Sequence, residues 1–472
     1  MPVLDGWYDG GVRSVVVVIA LSACGRIGFD ASAANNDAST IDDASTIDAA
    51  PRAPYTVELP LQSVISDLAV LSDGSVVAVG ARIGSLTLDG ITDPGVGAID
   101  VVVFALAPDG RARWIHQYGG TENDVADSVA IAPDGSIYVG GFVENTASLG
   151  GPSRSGQGRD AFLAKYDPDG DYVWSIGFGG DEAAADLGDM IIDIAVDPDG
   201  DVIVVGQVAG AVDFGGGLTP SSGSDSDAFV ARYSAAGAFR WARRLGTTGT
   251  NGFVSVVATN DAVYVGGYYS GTPMFDGGIL PGRGGHDALM FRVSADGTSI
   301  VWASNYGGPD NQRVYGLALV DGALVGVGYY WETVDLPNVP VSAGRADALV
   351  VRFGDPGGAF MGAVRVGGAG CDFLTSAHGA ASNVIASGTF EDTVQLDTSL
   401  TATGGGADAL AFGVDDSTIQ WHRTLGDATD DLNQGAGGSL ETGLVVGGMH
   451  GAQLDAQCNT VQGASRGYIR RF

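Results

Sequence analysis

Asp160-Ala-Phe-Leu-Ala-Lys-Tyr166 is a segment that recurs, with variation, along most of this 472-residue chain. A turn, Asp167-Pro-Asp-Gly170, follows it, and a second segment then runs from Tyr172-Val-Trp174 to Gly179-Gly180. The side chains of the first segment alternate between two apolar faces, which is typical of a buried β-strand. Asp-Gly pairs supply the positive φ that a tight hairpin needs. The sequence therefore predicts a repeated strand-turn-strand unit.

The copies of this unit are evenly spaced. The Asp that begins each copy recurs at intervals of 60, 67, 60, 60 and 61 residues, and Arg466 takes its place 58 residues after the last one. The aspartates are Asp100, Asp160, Asp227, Asp287, Asp347 and Asp408, and the matching tryptophans are Trp114, Trp174, Trp241, Trp302 and Trp421, with Gly362 in the fifth copy. Each unit also has two apolar segments upstream, of which Ser136-Ile-Tyr-Val-Gly-Gly-Phe142 is one. A period of this length accommodates four short strands.

The repeat predicts an all-β fold, a seven-bladed β-propeller of four-stranded antiparallel blades over residues 55–472. The seventh copy reaches the end of the sequence before its Trp strand. We expect Tyr55-Thr-Val-Glu-Leu-Pro-Leu61 to supply that strand, with Val57 in the Trp position and Leu61 in the position of Phe178. Closing a ring in this way leaves only short, protected strand edges.

The repeated phrase resembles the seven-bladed β-propeller repeat family of bacterial exported proteins, often abbreviated SBBP. The resemblance covers about residues 55 to 472 and is carried by Asp-Ala-Phe-Leu-Ala-Lys-Tyr with the Trp and Gly-Gly that follow. It implies that the repeated residues are structural. The repetition itself favours the same interpretation, because a catalytic site is needed once and not once in every blade.

The first 54 residues have a different character. The apolar run that starts at Val15 is too short to span a bilayer, and Leu21-Ser22-Ala23-Cys24 looks like a lipobox. We expect residues 1–23 to be a signal peptide and Cys24 to carry the lipid; a plain cleaved signal peptide is the alternative. Residues 24–54 are small and acidic, which is typical of a disordered linker. These features predict an exported protein anchored by lipid to a membrane, with Gly25 favouring the outer membrane.

The composition is strongly acidic. Lys plus Arg number 23 against 56 Asp plus Glu, so the formal net charge is −33. Such a surface repels phosphate backbones, which excludes nucleic acid as a partner. It favours solubility, and we expect a monomer. Of the three cysteines, Cys371 and Cys458 remain after Cys24; they fall in loops on one rim of adjacent predicted blades, where a disulfide is possible but proximity is open.

One rim of the predicted propeller carries long loops. In a four-stranded antiparallel blade, the turns between strands one and two and between strands three and four share a rim, and here they are tight Asp-Gly turns. The opposite side, which we call the long-loop rim, carries the connections between blades and seven long loops. These loops are residues 83–99, 144–159, 209–226, 270–286, 331–346, 391–407 and 451–465. Because binding residues concentrate on loops of rigid scaffolds, this rim is the predicted binding face.

Two groups of residues on this rim are candidate ligands. Acids enter the central strands at Asp124, Asp181, Glu182, Asp310 and Asp430. Their oxygens could hold Ca²⁺, although the spacing of a calcium loop is absent, and solvated loops or turn caps are the alternative. No other cofactor is predicted. Aromatic residues crowd the start of two long loops at Tyr269, Tyr330 and Trp331, where they could stack on sugar rings or anchor a protein, or pack over the rim.

The leading functional hypothesis is a non-catalytic binding scaffold of the cell envelope, whose partner is a protein or a surface polysaccharide. The alternative is a hydrolase or lyase acting on an extracellular polymer through acids such as Asp124, Asp181 or Asp310. No His-x-x-x-His or Cys-x-x-Cys metal motif and no phosphate-binding Gly loop is present in the sequence. The sequence therefore favours binding over catalysis.

Overall fold

The computed structural model describes residues 54–472 apart from 180–187, 220–225, 247–248, 276–277, 381–382, 397–398, 402–405, 416–417, 426–430, 438–444, 451–452, 455–457, 459, 462–465 and 472. The predicted signal peptide, Cys24 and nearly all of the linker lie outside these residues, as do Asp181, Glu182 and Asp430. Within the described ranges every regular element is a β-strand. No helix in this part of the chain is long and apolar enough to cross a membrane.

The strands are, in chain order, β1 (Tyr55–Leu61), β2 (Ser63–Val70), β3 (Val76–Arg82), β4 (Leu86–Leu88), β5 (Ile91–Asp93), β6 (Asp100–Leu106), β7 (Ala112–Gly120), β8 (Val125–Ile131), β9 (Ile137–Ser148), β10 (Arg154–Tyr166), β11 (Tyr172–Phe178), β12 (Met190–Val196), β13 (Val202–Val208), β14 (Val212–Asp213), β15 (Leu218–Thr219), β16 (Asp227–Tyr233), β17 (Phe239–Leu245), β18 (Asn251–Ala258), β19 (Ala262–Tyr269), β20 (Met274–Phe275), β21 (Gly278–Ile279), β22 (Asp287–Ser294), β23 (Ile300–Tyr306), β24 (Gln312–Val320), β25 (Ala323–Trp331), β26 (Ala346–Gly354), β27 (Ala359–Gly368), β28 (Phe373–Ala380), β29 (Asn383–Glu391), β30 (Thr393–Gln395), β31 (Ser399–Thr401), β32 (Ala407–Asp415), β33 (Thr418–Leu425), β34 (Asp431–Gly437), β35 (Val445–His450), β36 (Gln453–Leu454), β37 (Thr460–Val461) and β38 (Arg466–Arg471).

The long strands form successive antiparallel meanders, each of four strands. They are β2-β3-β6-β7, β8-β9-β10-β11, β12-β13-β16-β17, β18-β19-β22-β23, β24-β25-β26-β27 and β28-β29-β32-β33. Short hairpins such as β4-β5, β14-β15 and β30-β31 occupy the long loops between second and third strands. Two edge pairings, β7 with β9 and β27 with β30, tie loops to neighbouring strands. The prediction of four strands per repeat is confirmed.

A last sheet combines the two ends of the described chain. Its order is β1-β38-β35-β34, with β1 antiparallel to β38. The register corrects the predicted position of Val57: Tyr55 lies opposite Arg471, as Trp174 lies opposite Lys165 in the second meander.

The error in β1 is a shift of two residues. Apolar residues stand at every second position from Tyr55 to Leu61, so alternation alone does not show which of them takes the Trp position. The register also shifts between Glu58 and Leu61. Leu59 is 2% exposed whereas Leu61 is 46% exposed, and Leu59 therefore takes the position of the buried Phe178. The Tyr55 ring also lies against Gly110 in the turn of the first meander, as the Trp114 ring lies against Gly170 in the next.

The sheets stack face to face around a common centre. Each first strand packs against the first strand of the following sheet, in the order β2, β8, β12, β18, β24, β28 and β34, and β34 packs against β2. The hydrophobic core lies between neighbouring sheets; one cluster, for example, joins Ile203 and Val205 to Val263 and Val265. This stacking of radial four-stranded sheets is a β-propeller.

Candidate functional site

The repeated Asp at the start of each third strand has a structural position. Asp100 is fully buried and accepts hydrogen bonds from the backbone N–H groups of Val96 and Gly97, both at 2.9 Å. Asp347 accepts one from Ala343 at 2.9 Å in the same way. Each carboxylate thus closes the loop that precedes its strand, because a buried backbone N–H needs a partner.

The Gly-Gly pair that ends the fourth strand fits against this Asp. A Cβ on Gly307 would overlap the carboxylate of Asp287, and a Cβ on Gly308 would overlap the carbonyl oxygen of Thr333. Only glycine allows such close approach of the backbone. The Asp and the Gly-Gly of the repeat are therefore two halves of one packing arrangement.

The repeated tryptophans hold neighbouring sheets together. Trp241 packs its ring on Gly297, in the turn of the next sheet, and its Nε1–H donates to the Ala295 carbonyl at 3.0 Å. Trp174 donates to Ala235 at 3.3 Å in the equivalent turn. Trp114 and Trp302 pack on the corresponding turn glycines, whereas the Trp421 ring lies on Gly413 of its own sheet.

The structure contradicts the prediction that Tyr269 and Tyr330 bind a ligand. Both side chains are 0% exposed, and their hydroxyls donate to the carbonyls of Pro281 at 3.0 Å and Pro340 at 2.9 Å inside the long loops. Trp331 is partly exposed. Because successive side chains of a strand point to opposite faces, the preceding residues of the two strands, Tyr268 and Tyr329, face the other way.

Of the five candidate metal ligands, the structure describes only Asp124 and Asp310. Asp124 is buried, and its carboxylate accepts hydrogen bonds from the backbone N–H groups of Gly120 at 2.6 Å and Glu144 at 3.0 Å. It is therefore a turn cap. Burial raises its pKa to about 6, although these two hydrogen bonds act in the opposite direction. Asp310 is partly exposed. Among the described residues, no group of three or more His, Cys, Asp or Glu side chains could hold a metal ion.

Cys371 and Cys458 are joined by a disulfide in the structure, with 5.7 Å between their Cα atoms. Cys371 lies just before β28, and Cys458 lies between β36 and β37. The bridge therefore connects the start of one sheet to the long loop of the next, on the long-loop rim.

A bulge recurs in every first strand and directs one side chain toward the centre. The register of these strands shifts at Ser66, Asp127, Ile192, Val254, Tyr315 and Thr375, and in β34 between Asn433 and Gly435. Ile192, Val254 and Tyr315 meet in one apolar cluster with Phe142, although they come from different sheets. A bulge re-aims a side chain in this manner. The centre of the propeller is thus filled by side chains of different chemical types.

Sequence reasoning missed a cluster of tyrosine and arginine at the long-loop end of this centre. The Arg313 guanidinium lies 4.1 Å from the centroid of the Tyr268 ring, and the Tyr315 and Tyr329 ring centroids are 5.6 Å apart. His286 packs edge-on against Tyr268, with 4.9 Å between centroids. We call these five residues the tyrosine–arginine cluster. Arg313, Tyr268 and Tyr329 are partly exposed.

The electrostatics of the cluster favour a positive charge on Arg313 alone. Burial acts against that charge, but Tyr329, Tyr315 and Tyr268 hold the pKa of Arg313 above its usual value. Burial, and then the charge of Arg313, lowers the pKa of His286 to about 3, so this imidazole is neutral at physiological pH. The His286 Nδ1 lies 2.9 Å from Asn311 Oδ1. The cluster therefore presents one fixed cation among aromatic rings and neutral polar groups.

A second arginine stacks on an aromatic ring in a neighbouring part of the centre. Arg159 lies 4.0 Å over the Phe142 ring, and its guanidinium is 3.2 Å from a carboxylate oxygen of Glu144. Arg159 therefore has an internal counter-charge.

The chain has limited sequence similarity to known proteins. No family model matches the chain, so the resemblance to the SBBP repeat family stays a prediction. The chain is similar to the regulatory protein FlaEY of Caulobacter vibrioides, at 29% identity over 233 residues. This match covers 47% of the chain and 23% of that protein, so it spans about a quarter of the relative's length.

Several solved β-propellers are similar in structure. The WD40 β-propeller domain of Doa1 has a TM-score of 0.42 at 12% identity, over 88% of this chain and 95% of that chain. The β-propeller domain of the Trilobed protease from Pyrococcus furiosus has a TM-score of 0.42 at 8% identity, over 84% of this chain and 92% of that chain. At these scores, the similarity carries no inference about ligand or activity.

Proposed function

We propose that the chain is a cell-envelope lipoprotein whose closed, seven-bladed β-propeller binds a protein or a surface polysaccharide without catalysing a reaction. The cyclic packing of the first strands from β2 to β34 and back to β2 supports seven blades. The pairing of β1 with β38 supports closure by the N-terminal strand. A ring closed by both chain ends leaves no long open edge.

One observation carries the proposed binding function. The repeated residues have structural contacts: Asp100 closes a loop within its blade, and Trp241 joins its blade to the next one. The long loops, by contrast, differ from blade to blade: β9 and β10 extend into theirs, several contain a short hairpin, and residues 332–345 contain no strand. Variation on one rim of a rigid scaffold is typical of a binding surface.

The burial of Asp124 supports a binding function over hydrolysis. Asp124, a candidate for the alternative hydrolase or lyase, is held by two backbone N–H groups and has no exposed surface. A catalytic carboxylate has to reach the substrate bond. Asp310 is the remaining described candidate, and replacing it with Asn tests the alternative.

Capture from envelope extracts tests the proposed function. The full chain, immobilised in its folded form, should retain a protein or polysaccharide that the heat-unfolded chain does not retain. Turnover of an extracellular polysaccharide that is lost in Asp310→Asn would favour the hydrolase, and retention of nothing would contradict the scaffold.

The membrane anchor is tested separately. We expect the wild-type chain to fractionate with membranes and Cys24→Ser to be released, because a lipid chain partitions into the bilayer. Equal fractionation of the two chains would contradict the lipoprotein assignment. Mass spectrometry of the N-terminal peptide would identify the acyl groups on Cys24.

A further inference from the structure

We infer, on the basis of the binding function proposed above, that the tyrosine–arginine cluster binds the carboxylate of an acidic sugar, such as a uronic acid within a polysaccharide. The cluster lies at the long-loop end of the centre: Arg313 is near the start of β24, and Tyr268 and Tyr329 are near the ends of β19 and β25. These strand ends border the long-loop rim. A ligand could therefore reach the cluster from the proposed binding face.

The first argument is the missing counter-charge of Arg313. Several partly buried arginines of the blades pair with a carboxylate, namely Arg159 with Glu144, Arg232 with Asp197, Arg244 with Asp227, Arg283 with Asp335, Arg292 with Asp355, Arg345 with Glu391 and Arg365 with Asp347. Arg313 has no such ion pair with any residue that the structure describes, and its Nε–H is buried without a hydrogen-bond acceptor there. Arg471 also stacks on a tyrosine ring without an ion pair among the described residues, but it is fully buried, whereas Arg313 is partly exposed and open to a ligand.

The second argument is geometric. The guanidinium stacks on the Tyr268 ring, forms a hydrogen bond with Tyr315, and has its Nη2 3.3 Å from His286 Nδ1. None of these neutral groups cancels its charge. A planar guanidinium that is fixed in this way recognises a carboxylate through two parallel hydrogen bonds. The side chain is already ordered by its neighbours, so binding costs little conformational entropy.

The third argument selects a sugar as the bearer of the carboxylate. Tyr268 and Tyr329 are partly exposed, and aromatic faces beside neutral hydrogen-bonding groups such as Asn311 suit the apolar faces and hydroxyls of a pyranose ring. The acidic surface repels densely charged chains. A mostly neutral polysaccharide that carries a uronic acid fits both requirements better than an acidic peptide with several carboxylates does.

The test measures binding of trigalacturonic acid to the full chain by calorimetry. Its methyl ester is the matched ligand control, because it keeps the sugar rings and removes the charge. We expect the acid to bind and the ester to bind at least about tenfold more weakly, as is typical when a hydrogen bond to a charged group is lost. Arg313→Gln should weaken binding of the acid by a similar factor, and Arg313→Lys should weaken it less.

The control variant is Arg111→Gln, because Arg111 lies at an exposed turn on the opposite rim. It should bind trigalacturonic acid like the wild type. If Arg313→Gln fails to fold, two tests of the site remain. One compares binding of the acid with binding of its ester, and the other uses Tyr329→Phe, which keeps the aromatic ring and removes the hydroxyl. The inference is overturned if the acid does not bind, if acid and ester bind equally, if folded Arg313→Gln binds normally, or if an acidic peptide binds as tightly. Continued capture from envelope extracts by Arg313→Gln would leave the scaffold function intact while excluding the cluster as its site.

Discussion

Asp127 is a buried acid whose protonation is coupled to folding. It occupies the bulge position of β8 and is 4% exposed, with Oδ2 lacking a hydrogen-bond partner among the described residues. Burial raises its pKa from 3.8 to about 8, and the charge of Arg159 offsets this only in part. The neutral carboxyl is therefore the form that the fold accommodates.

The raised pKa predicts how stability depends on pH. The contribution of Asp127 is fully present below pH 3.8 and is lost as the pH rises toward about 8, because the unfolded chain releases the proton more readily. Asp127→Asn mimics the neutral form without titrating. Its melting temperature should exceed that of the wild type by a margin that grows between about pH 5 and about pH 8.

Differential scanning calorimetry of the two proteins across this range measures the margin. Asp169→Asn, in an exposed turn, is the control and should follow the wild type at every pH. A constant difference between Asp127→Asn and the wild type would show that Asp127 is ionised in the folded protein.

Among the elements, β1 is the strand that places the N-terminal end of the propeller in the last sheet. Its register puts Leu59 in the core and Leu61 at the surface. Leu59→Asp should therefore destabilise the fold by at least about 3 kcal/mol, because it buries an unpaired charge. Leu61→Asp should change the free energy of unfolding by less than about 0.5 kcal/mol. Urea denaturation of both variants measures the difference, and a larger effect at Leu61 would restore the register predicted from the sequence.

The elements also show what the sequence could predict. The strands and turns follow from the alternation of Asp160 to Tyr166 and from the Asp-Gly pairs, which are local signals. The register of β1 does not, because apolar residues at every second position from Tyr55 to Leu61 fit the alternation equally well in two positions that differ by two residues. The partly exposed tyrosines lie one residue before the predicted ones, since period-two alternation separates Tyr268 from Tyr269 but does not say which one faces the core.

The central side chains were beyond prediction for a related reason. The bulge positions Ser66, Asp127, Ile192, Val254, Tyr315 and Thr375 include hydroxyl, carboxyl, aliphatic and aromatic side chains. A search for repeated residues overlooks positions where the copies differ. Tyr315 shares β24 with Arg313, and Tyr329 lies opposite Arg313 on β25 of the same sheet. Tyr268 reaches this cluster from β19 of the preceding sheet.

For the whole molecule, the disulfide between Cys371 and Cys458 ties two neighbouring sheets over 87 residues of sequence. A bridge over a long loop restricts the unfolded chain and stabilises a protein by about 2–4 kcal/mol. We expect a reductant to lower the melting temperature of the wild type and to leave the double variant Cys371→Ser, Cys458→Ser unchanged. Alkylation of both thiols without prior reduction, detected by mass spectrometry, would contradict the bridge.

The location of binding on the whole propeller is tested most directly by carboxyl footprinting of the full chain in envelope extract. Exposed acids lie on both rims: Glu122, Glu332 and Asp335 on the long-loop rim, and Asp73, Asp109, Asp169 and Asp296 in the opposite turns. Labelling of the long-loop acids should fall in the extract while labelling of the turn acids stays constant. Protection of the turn acids with unchanged labelling at Glu122 and Glu332 would contradict the proposed binding face.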